Sequence, residues 1–309
     1  MASRRRALLR ALRLVPFLLL IAIVAVSSPA RDDSATLPVG TVVTTHTIAV
    51  GGVSRTFRTY ALEGANSPLP LIVVLHGRGQ SADTVLARTG FLGLVGDGRA
   101  VLAFPDGVGR SWNAGGGCCG VAAQRAEPDQ EFVTDVVAAT VKALPVDRRR
   151  IYLVGYSNGG KLAYAESCTH PTTFAAVATY GSVPLQPCDA PQARPVLIGA
   201  GQLDPILPYR GQPRGRPPLP SIDTAVAELR AQDGCTATPS ERRDGPAVIR
   251  RWAGCRDGSA VELVVYPHLG HDWPTVSEVG TDAAVATLAW DFLAPFHLPA
   301  PPHTTPPTA

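Results

Sequence analysis

The sequence predicts an α/β protein with a mostly parallel β-sheet covered by helices on both faces. Two observations indicate this class: short, nearly continuous apolar runs of strand length, and stretches of helical periodicity between several of them. Apolar runs without polar alternation are typical of strands buried on both faces, as in parallel sheets. Strands that alternate with helices favour a helix-covered sheet. Residues 31–294 are expected to form one domain, because a chain of this length can bury a single large core.

The hydrophobic pattern assigns the elements in chain order, beginning with a hairpin. Residues 42–50 and 55–62 flank the turn Gly51-Gly52 and predict two paired strands. Further strands are predicted at residues 69–75, 100–104, 151–154, 174–180, 195–198 and 261–265. Helices are predicted at about 83–92, 130–144, 158–167, 221–232 and 282–293. The irregular stretches 107–128 and 205–220 are expected to be surface loops.

Both ends of the chain differ from this pattern. In residues 1–30, five arginines precede an apolar run from 14 to 26, and small residues follow it, which predicts a signal peptide and a secreted protein. The run is shorter than the roughly 20 residues that span a bilayer, so no stable membrane span is expected after its removal. The general and twin-arginine export routes stay open. Residues 295–309, rich in proline and threonine, are expected to be a disordered tail.

The charge of the chain argues against a nucleic-acid partner. Residues 1–30 contain five arginines and no acidic residue, so without them the formal net charge falls from +3 to −2. No basic tract remains that would follow a phosphate backbone. No nucleic-acid partner is therefore expected. A monomer that acts on a small-molecule or oligomeric substrate is expected as well.

Six cysteines, an even number, are typical of a protein that folds in an oxidising compartment. The pairs that local spacing favours are Cys168 with Cys188, Cys235 with Cys255, and the neighbours Cys118 with Cys119. A metal site is the alternative, but no Cys-x-x-Cys pair accompanies spaced histidines. No metal and no other cofactor is predicted.

Ser157 is the candidate nucleophile. It lies in Gly155-Tyr156-Ser157-Asn158-Gly159, which matches the Gly-x-Ser-x-Gly elbow, a tight turn that exposes a serine between a strand and a helix. A predicted strand precedes the motif and a predicted helix follows it, as the elbow requires. The same segment also fits the phosphate loop Gly-x-x-x-x-Gly-Lys, but Leu162 stands where that loop needs Ser or Thr to hold magnesium.

A serine hydroxyl needs a base and a carboxylate, which follow it in the order acid, then histidine, in this type of site. His271 is the candidate base because it follows the last predicted strand, and His268 is the alternative. Asp204 is the candidate acid because it lies just past the strand at 195–198. The other aspartates, Asp189, Asp223 and Asp233, lie beside a cysteine or on a predicted helix.

Two backbone amides are the candidate oxyanion hole. The residue after the nucleophile, Asn158, supplies one amide, and Arg78 in the early loop after residue 75 supplies the other. His76 precedes the serine in the chain and is expected to be structural. Trp112, Asn113 and Trp273 are candidate substrate-binding residues, with packing in the core or loop as the alternative for the tryptophans.

Taken together, these motifs resemble the secreted esterases that include polyhydroxybutyrate depolymerases and carbohydrate-esterase family 1 feruloyl esterases. The resemblance covers residues 45–292 and rests on Leu75-His76-Gly77-Arg78-Gly79-Gln80, Ser111-Trp112-Asn113-Ala114-Gly115 with Cys118-Cys119-Gly120, Gly155-Tyr156-Ser157-Asn158-Gly159-Gly160, Asp204-Pro205-Ile206-Leu207-Pro208-Tyr209 and His271-Asp272-Trp273-Pro274. It implies an α/β-hydrolase fold and a metal-independent ester hydrolase with Ser157, Asp204 and His271 as the triad.

The chain also departs from that family's pattern. Arg78 stands where cysteine is frequent, and Asp272 replaces a more usual threonine after the base. A carboxylate at Asp272 is expected either to compete with Asp204 for the imidazole or to raise its pKa. A serine peptidase of the same fold and a non-catalytic ligand-binding relative are the alternative functions.

Overall fold

A single ten-stranded sheet organises the protein in the computed structural model, which describes residues 36–189, 192–215, 218–236, 238–282 and 284–300. The strands are β1 (Thr41–Val50), β2 (Val53–Leu62), β3 (Leu69–Leu75), β4 (Val101–Pro105), β5 (Val146–Tyr156), β6 (Ala176–Tyr180), β7 (Val196–Gly201), β8 (Ser240–Asp244), β9 (Ala247–Trp252) and β10 (Val261–Tyr266). Their order in the sheet is β1-β2-β4-β3-β5-β6-β7-β10-β9-β8. The central six, from β4 to β10, pair in parallel, and the two edges are antiparallel.

Helices cover both faces of the sheet. They are α1 (Ala82–Thr89), α2 (Leu92–Gly96), α3 (Gly120–Gln124), α4 (Asp129–Ala143), α5 (Asn158–Thr169), α6 (Ile222–Gln232), α7 (Val276–Val279) and α8 (Val285–Leu293). The predicted class, a mostly parallel sheet between helical layers, is confirmed. Within the described ranges, no helix is both long and apolar enough to cross a bilayer.

The buried strands are almost continuously apolar because successive side chains enter different cores. In β3, Ile72 and Val74 pack in the core that contains residues of α1, α2 and α8, whereas Leu71 and Val73 pack in the core that contains residues of α4 and α5. A third core joins β7 and β10 to α6. This alternation is the strand period of two, and it removes the polar positions that would mark an exposed face.

Two of the differences between the structure and the predicted elements have a clear physical cause. The predicted helix at 83–92 is two helices, because Gly90 takes the left-handed conformation, with φ of 73°, and ends α1. The edge hairpin of β8 and β9 was not predicted. Strand β8, Ser240–Asp244, is largely exposed and carries only polar residues, so it has no apolar face for a periodicity analysis to detect.

The prediction that the disordered tail starts at residue 295 is wrong for residues 295–300. Residues 295–300 are held against β5: Tyr152 Oη donates to the Phe296 carbonyl at 2.8 Å, and Leu298 N donates to the Arg149 carbonyl at 2.8 Å. Phe296 and Leu298 also pack on the core. Two apolar side chains and these hydrogen bonds outweigh the proline content. Residues 301–309 and the predicted signal peptide lie outside the described residues.

Candidate active site

The candidate catalytic residues meet at one edge of the sheet. Ser157 follows β5, Asp204 follows β7 and His271 follows β10. These strands are parallel, so their carboxyl ends lie at the same edge, where α/β proteins bind ligands. Strand β3 also ends at that edge, and the loop that contains Arg78 begins there.

The turn at Ser157 has the strained backbone of a nucleophile elbow. Ser157 has φ of 50° and ψ of −114°, and its amide donates to the Tyr180 carbonyl at 2.8 Å. The flanking glycines are required by space: a Cβ at Gly155 would lie 2.5 Å from the Gly159 carbonyl oxygen, and one at Gly159 would lie 2.5 Å from the His76 carbonyl oxygen. The strain persists because the surrounding strand and helix hold the turn in place.

Hydrogen bonds link the three predicted residues in a continuous chain. His271 Nε2 lies 2.9 Å from Ser157 Oγ, and His271 Nδ1 lies 2.6 Å from Asp204 Oδ2. In this arrangement an imidazole can accept a serine proton at Nε2 while a carboxylate orients the ring through Nδ1. His268, the alternative base, takes no part in these contacts.

The Asp204 carboxylate is fixed on both oxygens. Its side chain is 2% exposed. Oδ1 accepts from the amides of Ile206 at 2.8 Å and Leu207 at 2.7 Å, which leaves Oδ2 directed at His271. The turn that contains Pro205 therefore gives the carboxylate one orientation.

The His271 imidazole packs against a pair of tilted aromatic rings. Its ring centroid lies 5.1 Å from that of Tyr156, which in turn lies 4.9 Å from that of Trp273. Burial, the largest cause, raises the pKa of Tyr156, and the Asp272 and Asp204 carboxylates add to it, so the phenol stays neutral beside the imidazole. A Cβ at Gly181 would lie 3.2 Å from the His271 ring. The sequence analysis assigned no role to Tyr156 or Gly181.

Asp272 does not compete with Asp204 for the imidazole. Its Oδ2 accepts from Arg88 at 2.7 Å, and its Oδ1 accepts from the Trp273 amide at 2.8 Å. The expected competition is therefore wrong, because α1 supplies a guanidinium that engages this carboxylate. The sequence near Asp272 could not identify Arg88 as its partner, because the two residues are 184 positions apart in the chain.

The two predicted oxyanion-hole donors are the backbone amides of Asn158 and Arg78. Asn158 is the first residue of α5, and the first amides of a helix have no acceptor within it. In the loop after β3, the amides of Gly77, Gly79 and Gln80 are already bonded, to Gln80 Oε1, Arg110 O and Gly77 O. Among the residues that the structure describes, the Arg78 amide has no acceptor. Both predicted oxyanion-hole donors are thus unengaged.

His76 is a structural residue, as expected. It is 1% exposed; its Nε2 accepts from the Gly107 amide at 2.9 Å, and its Nδ1 lies 2.8 Å from the Gly77 carbonyl. Burial lowers the pKa of His76, which keeps the ring neutral with one donor and one acceptor.

The predicted substrate contacts of the two tryptophans are wrong. Trp112 and Trp273 are both 0% exposed. Trp112 packs in the core and donates Nε1 to the His76 carbonyl at 2.8 Å, while both of its backbone groups bond to the side chain of Asn158. The two tryptophans therefore act on the site indirectly. Trp112 contacts His76 and Asn158, and Trp273 packs against Tyr156, which contacts His271.

Asn113 is engaged within its own loop. Its Nδ2 donates to the Glu127 carbonyl at 3.0 Å, and its Oδ1 accepts from the Gly115 amide. Its backbone amide donates to Asp129 at 2.7 Å. These contacts use one Nδ2 hydrogen and one lone pair of Oδ1, and a second hydrogen and lone pair remain, so a substrate contact of Asn113 stays a prediction.

All six cysteines are paired in the structure. The disulfides are Cys118–Cys119, Cys168–Cys188 and Cys235–Cys255, as spacing predicted. Burial excludes water from Cys118, which is 3% exposed. In the described segments, no group of three or more histidine, cysteine or acidic side chains has an arrangement that could hold a metal ion.

Proteins similar to this chain are hydrolases. One relative is NocK from Nocardia uniformis subsp. tsuyamanensis, which is named as an esterase. It is 28% identical to this chain over 295 residues, which cover 83% of this chain and 84% of NocK. Feruloyl esterase D of Neurospora crassa is 26% identical and covers 92% of this chain and 98% of the relative.

Fold and family are shown by two further findings. The acetyl xylan esterase from Aspergillus awamori has a TM-score of 0.59 at 12% identity, over 81% of this chain and 99% of that structure, which confirms the α/β-hydrolase fold. The family model described as the dienelactone hydrolase family matches residues 57–214, a segment that includes the β3 loop, the elbow and Asp204. Since this segment exceeds half of the chain, the protein is a member of the dienelactone hydrolase family.

Proposed function

We propose that the protein is a secreted serine carboxylic-ester hydrolase that works through an acyl-enzyme on Ser157. One observation carries the proposal: His271 bridges Ser157 Oγ at 2.9 Å and Asp204 Oδ2 at 2.6 Å. A buried hydrogen-bonded aspartate and an imidazole in contact with a strained serine form the arrangement that acyl transfer requires.

The mechanism has two acyl-transfer steps. His271 takes the Ser157 proton as Oγ attacks the ester carbonyl carbon, and the backbone amides of Arg78 and Asn158 donate to the resulting oxyanion. The imidazolium then gives the proton to the leaving alkoxide, which departs as the alcohol. Water attacks the acyl-enzyme with His271 again as the base, and Ser157 is released with the carboxylic acid.

The proposed substrates are small or oligomeric esters. The name feruloyl esterase D of a relative and the resemblance in the loop motifs favour feruloyl-type esters, and hydroxybutyrate oligomers are the second ester class. The arginine-rich signal-like segment at 1–30 supports export, and three disulfides suit an oxidising compartment.

The test is turnover by the purified mature protein of p-nitrophenyl acetate, methyl ferulate, hydroxybutyrate oligomers and aminoacyl anilides. We expect ester hydrolysis and covalent labelling by a fluorophosphonate, with both lost in Ser157→Ala. Ser240→Ala, at an exposed serine on β8, is the matched control and should keep full activity. Turnover of anilides without esters would favour a peptidase, and absence of labelling would favour a binding protein.

A further inference from the structure

One edge of the sheet is a long strand without charged side chains. Strand β1 spans ten residues, Thr41–Val50, and among the described strands it neighbours only β2. Its sequence contains no lysine, arginine, aspartate or glutamate. His46 is its one titratable residue; its Nε2 lies 2.9 Å from Thr59 Oγ1, and burial lowers the pKa of the imidazole. Strand β1 is therefore uncharged at neutral pH.

The strand at the opposite edge, β8, has the reverse character. It spans five residues, Ser240–Asp244, of which four are charged. Ion pairs join Arg242 to Asp244 within the strand and Glu241 to Arg250 on β9. Natural sheets protect an exposed edge from unwanted pairing with short strands and charged side chains. Strand β8 has both features and β1 has neither, so β1 is the edge that is open to another strand.

The hydrogen bonds at the start of β1 identify its free backbone groups. The Glu63 amide donates to the Gly40 carbonyl at 2.8 Å, whereas the Thr41 amide donates away from β2, to the Pro38 carbonyl at 3.1 Å. Because these directions alternate along an antiparallel strand, even-numbered residues of β1 bond to β2 and odd-numbered residues face outward. In the part of the chain that the structure describes, the outward amides and carbonyls of four residues have no partner: Val43, Thr45, Thr47 and Ala49.

Side chains on both faces of β1 are accessible as well. Val42 is 46% exposed and Val43 is 39% exposed, and they lie on opposite faces because successive side chains of a strand alternate. Thr44, Thr45 and Thr47 are exposed too. All of these residues are β-branched, the type that packs well against a neighbouring strand.

A second copy of β1 fits this edge. Antiparallel pairing about a twofold axis at Thr45 places Thr45 opposite its own copy and Val43 opposite Thr47 of the second copy. The outward groups then form about six backbone hydrogen bonds, two for each of these pairs. The same register places Val42 opposite Ile48 of the second copy, which brings two apolar side chains together on the other face. Since the strand carries no charge, the two copies do not repel each other.

The size of this contact indicates a weak, reversible dimer. Ten residues at about 3.4 Å each make the edge about 34 Å long. One pair of strands lies at the low end of specific interface sizes, and its affinity comes mainly from backbone hydrogen bonds. A Kd in the micromolar range is therefore expected. The charged strand β8 is then the outer edge of both copies, so assembly stops at two.

We propose that the protein forms a twofold dimer in which β1 pairs with β1 of a second copy and one sheet continues through both chains. This proposal replaces the monomer expected from the sequence. It does not depend on ester hydrolysis, because three strands separate β1 from β5, the strand that precedes Ser157. Dimer formation can therefore succeed or fail independently of the proposed function.

The test is sedimentation velocity of the mature chain from about 1 μM to about 1 mM, a range that includes a micromolar Kd. We expect a monomer–dimer equilibrium that depends on concentration. Thr45→Lys and Thr45→Glu each place like charges opposite each other at the axis, and each should raise the dimer Kd about tenfold or more, which corresponds to about 1.4 kcal/mol. An equimolar mixture of the two variants should recover the dimer, because opposite charges then meet.

Ser240→Lys is the matched control, because it adds the same charge at an exposed hydroxyl residue on the other edge strand and should leave the Kd unchanged. Circular dichroism checks that each variant is folded. The proposal is overturned if the wild-type protein stays monomeric over the whole range, as it would if this edge served a strand of a different protein. It is also overturned if folded Thr45→Lys dimerises as tightly as the wild type, or if the mixture does not recover the dimer.

Discussion

Arg88 on α1 and Asp272, the residue after His271, form an ion pair at 2.7 Å. Each side chain is 32% exposed, and the second oxygen of Asp272 accepts from the Trp273 amide. The pair ties the loop that bears the imidazole to a helix that follows the Arg78 loop. We infer that its main effect is on the position of His271, because half-exposed ion pairs contribute little to stability.

Arg88→Met is expected to lower kcat for ester hydrolysis about tenfold, since small displacements of catalytic groups are costly. The free energy of unfolding should change by less than about 1 kcal/mol. Steady-state kinetics and urea unfolding measure the two effects, and Arg88→Lys should recover part of the activity. An unchanged kcat in Arg88→Met would show that the loop holds His271 without the pair.

Asp204→Asn is expected to lower kcat by a factor of about 10²–10⁴ with little change in KM, because the amide cannot stabilise the imidazolium or keep Nδ1 protonated. The double variant with His271→Ala should be no slower than His271→Ala alone, since the two residues act as a unit. Single-turnover kinetics with p-nitrophenyl acetate measures this. Multiplicative losses in the double variant would contradict the shared role.

Gly159→Ala is expected to lower the free energy of unfolding by about 1–3 kcal/mol and to abolish labelling of Ser157, because its Cβ would lie 2.5 Å from the carbonyl oxygens of His76 and Leu75. Gly93→Ala is the matched control: its Cβ would meet nothing within 4 Å, and it lies on α2. There, alanine should be neutral or stabilising. Equal stability of both variants would contradict the steric argument.

Glu166→Gln is expected to stabilise the protein more at pH 8 than at pH 5. Burial raises the pKa of Glu166 from 4.5 to about 8, while its Oε1 lies 3.0 Å from His170 Nδ1. Between these values the unfolded chain has released the proton and the folded chain retains it, so stability decreases as pH rises from about 4.5 to about 8. Glutamine has no proton to lose, and the variant should lack this decrease.

Urea unfolding at both pH values measures the effect. Glu63→Gln, at an exposed position after β2, is the control and should show no comparable difference. A gain in Glu166→Gln that is the same at pH 5 and pH 8 would mean that the carboxyl is ionised throughout, held by His170.

The predictable parts of the fold are those with strong apolar patterns. Strand β3 has the predicted bounds, because every residue after Leu69 is buried and apolar. Strand β8 and the anchored residues 295–300 escaped prediction, since polar or proline-rich composition locally resembles loop. The tryptophans were misassigned for a related reason: a position in the glycine-rich loop or two residues after His271 does not reveal which way a ring points, and both rings are buried.

By itself the sequence determined the α/β class, the elbow at Ser157 and the candidate acid and base, because these depend on local periodicity, turn chemistry and chain order. Only the tertiary structure decided that Asp272 pairs with Arg88, that Tyr156 supports the imidazole, and that β1 forms an edge of the sheet. Such contacts join residues from separate elements, and their geometry follows from how the helices pack on the sheet.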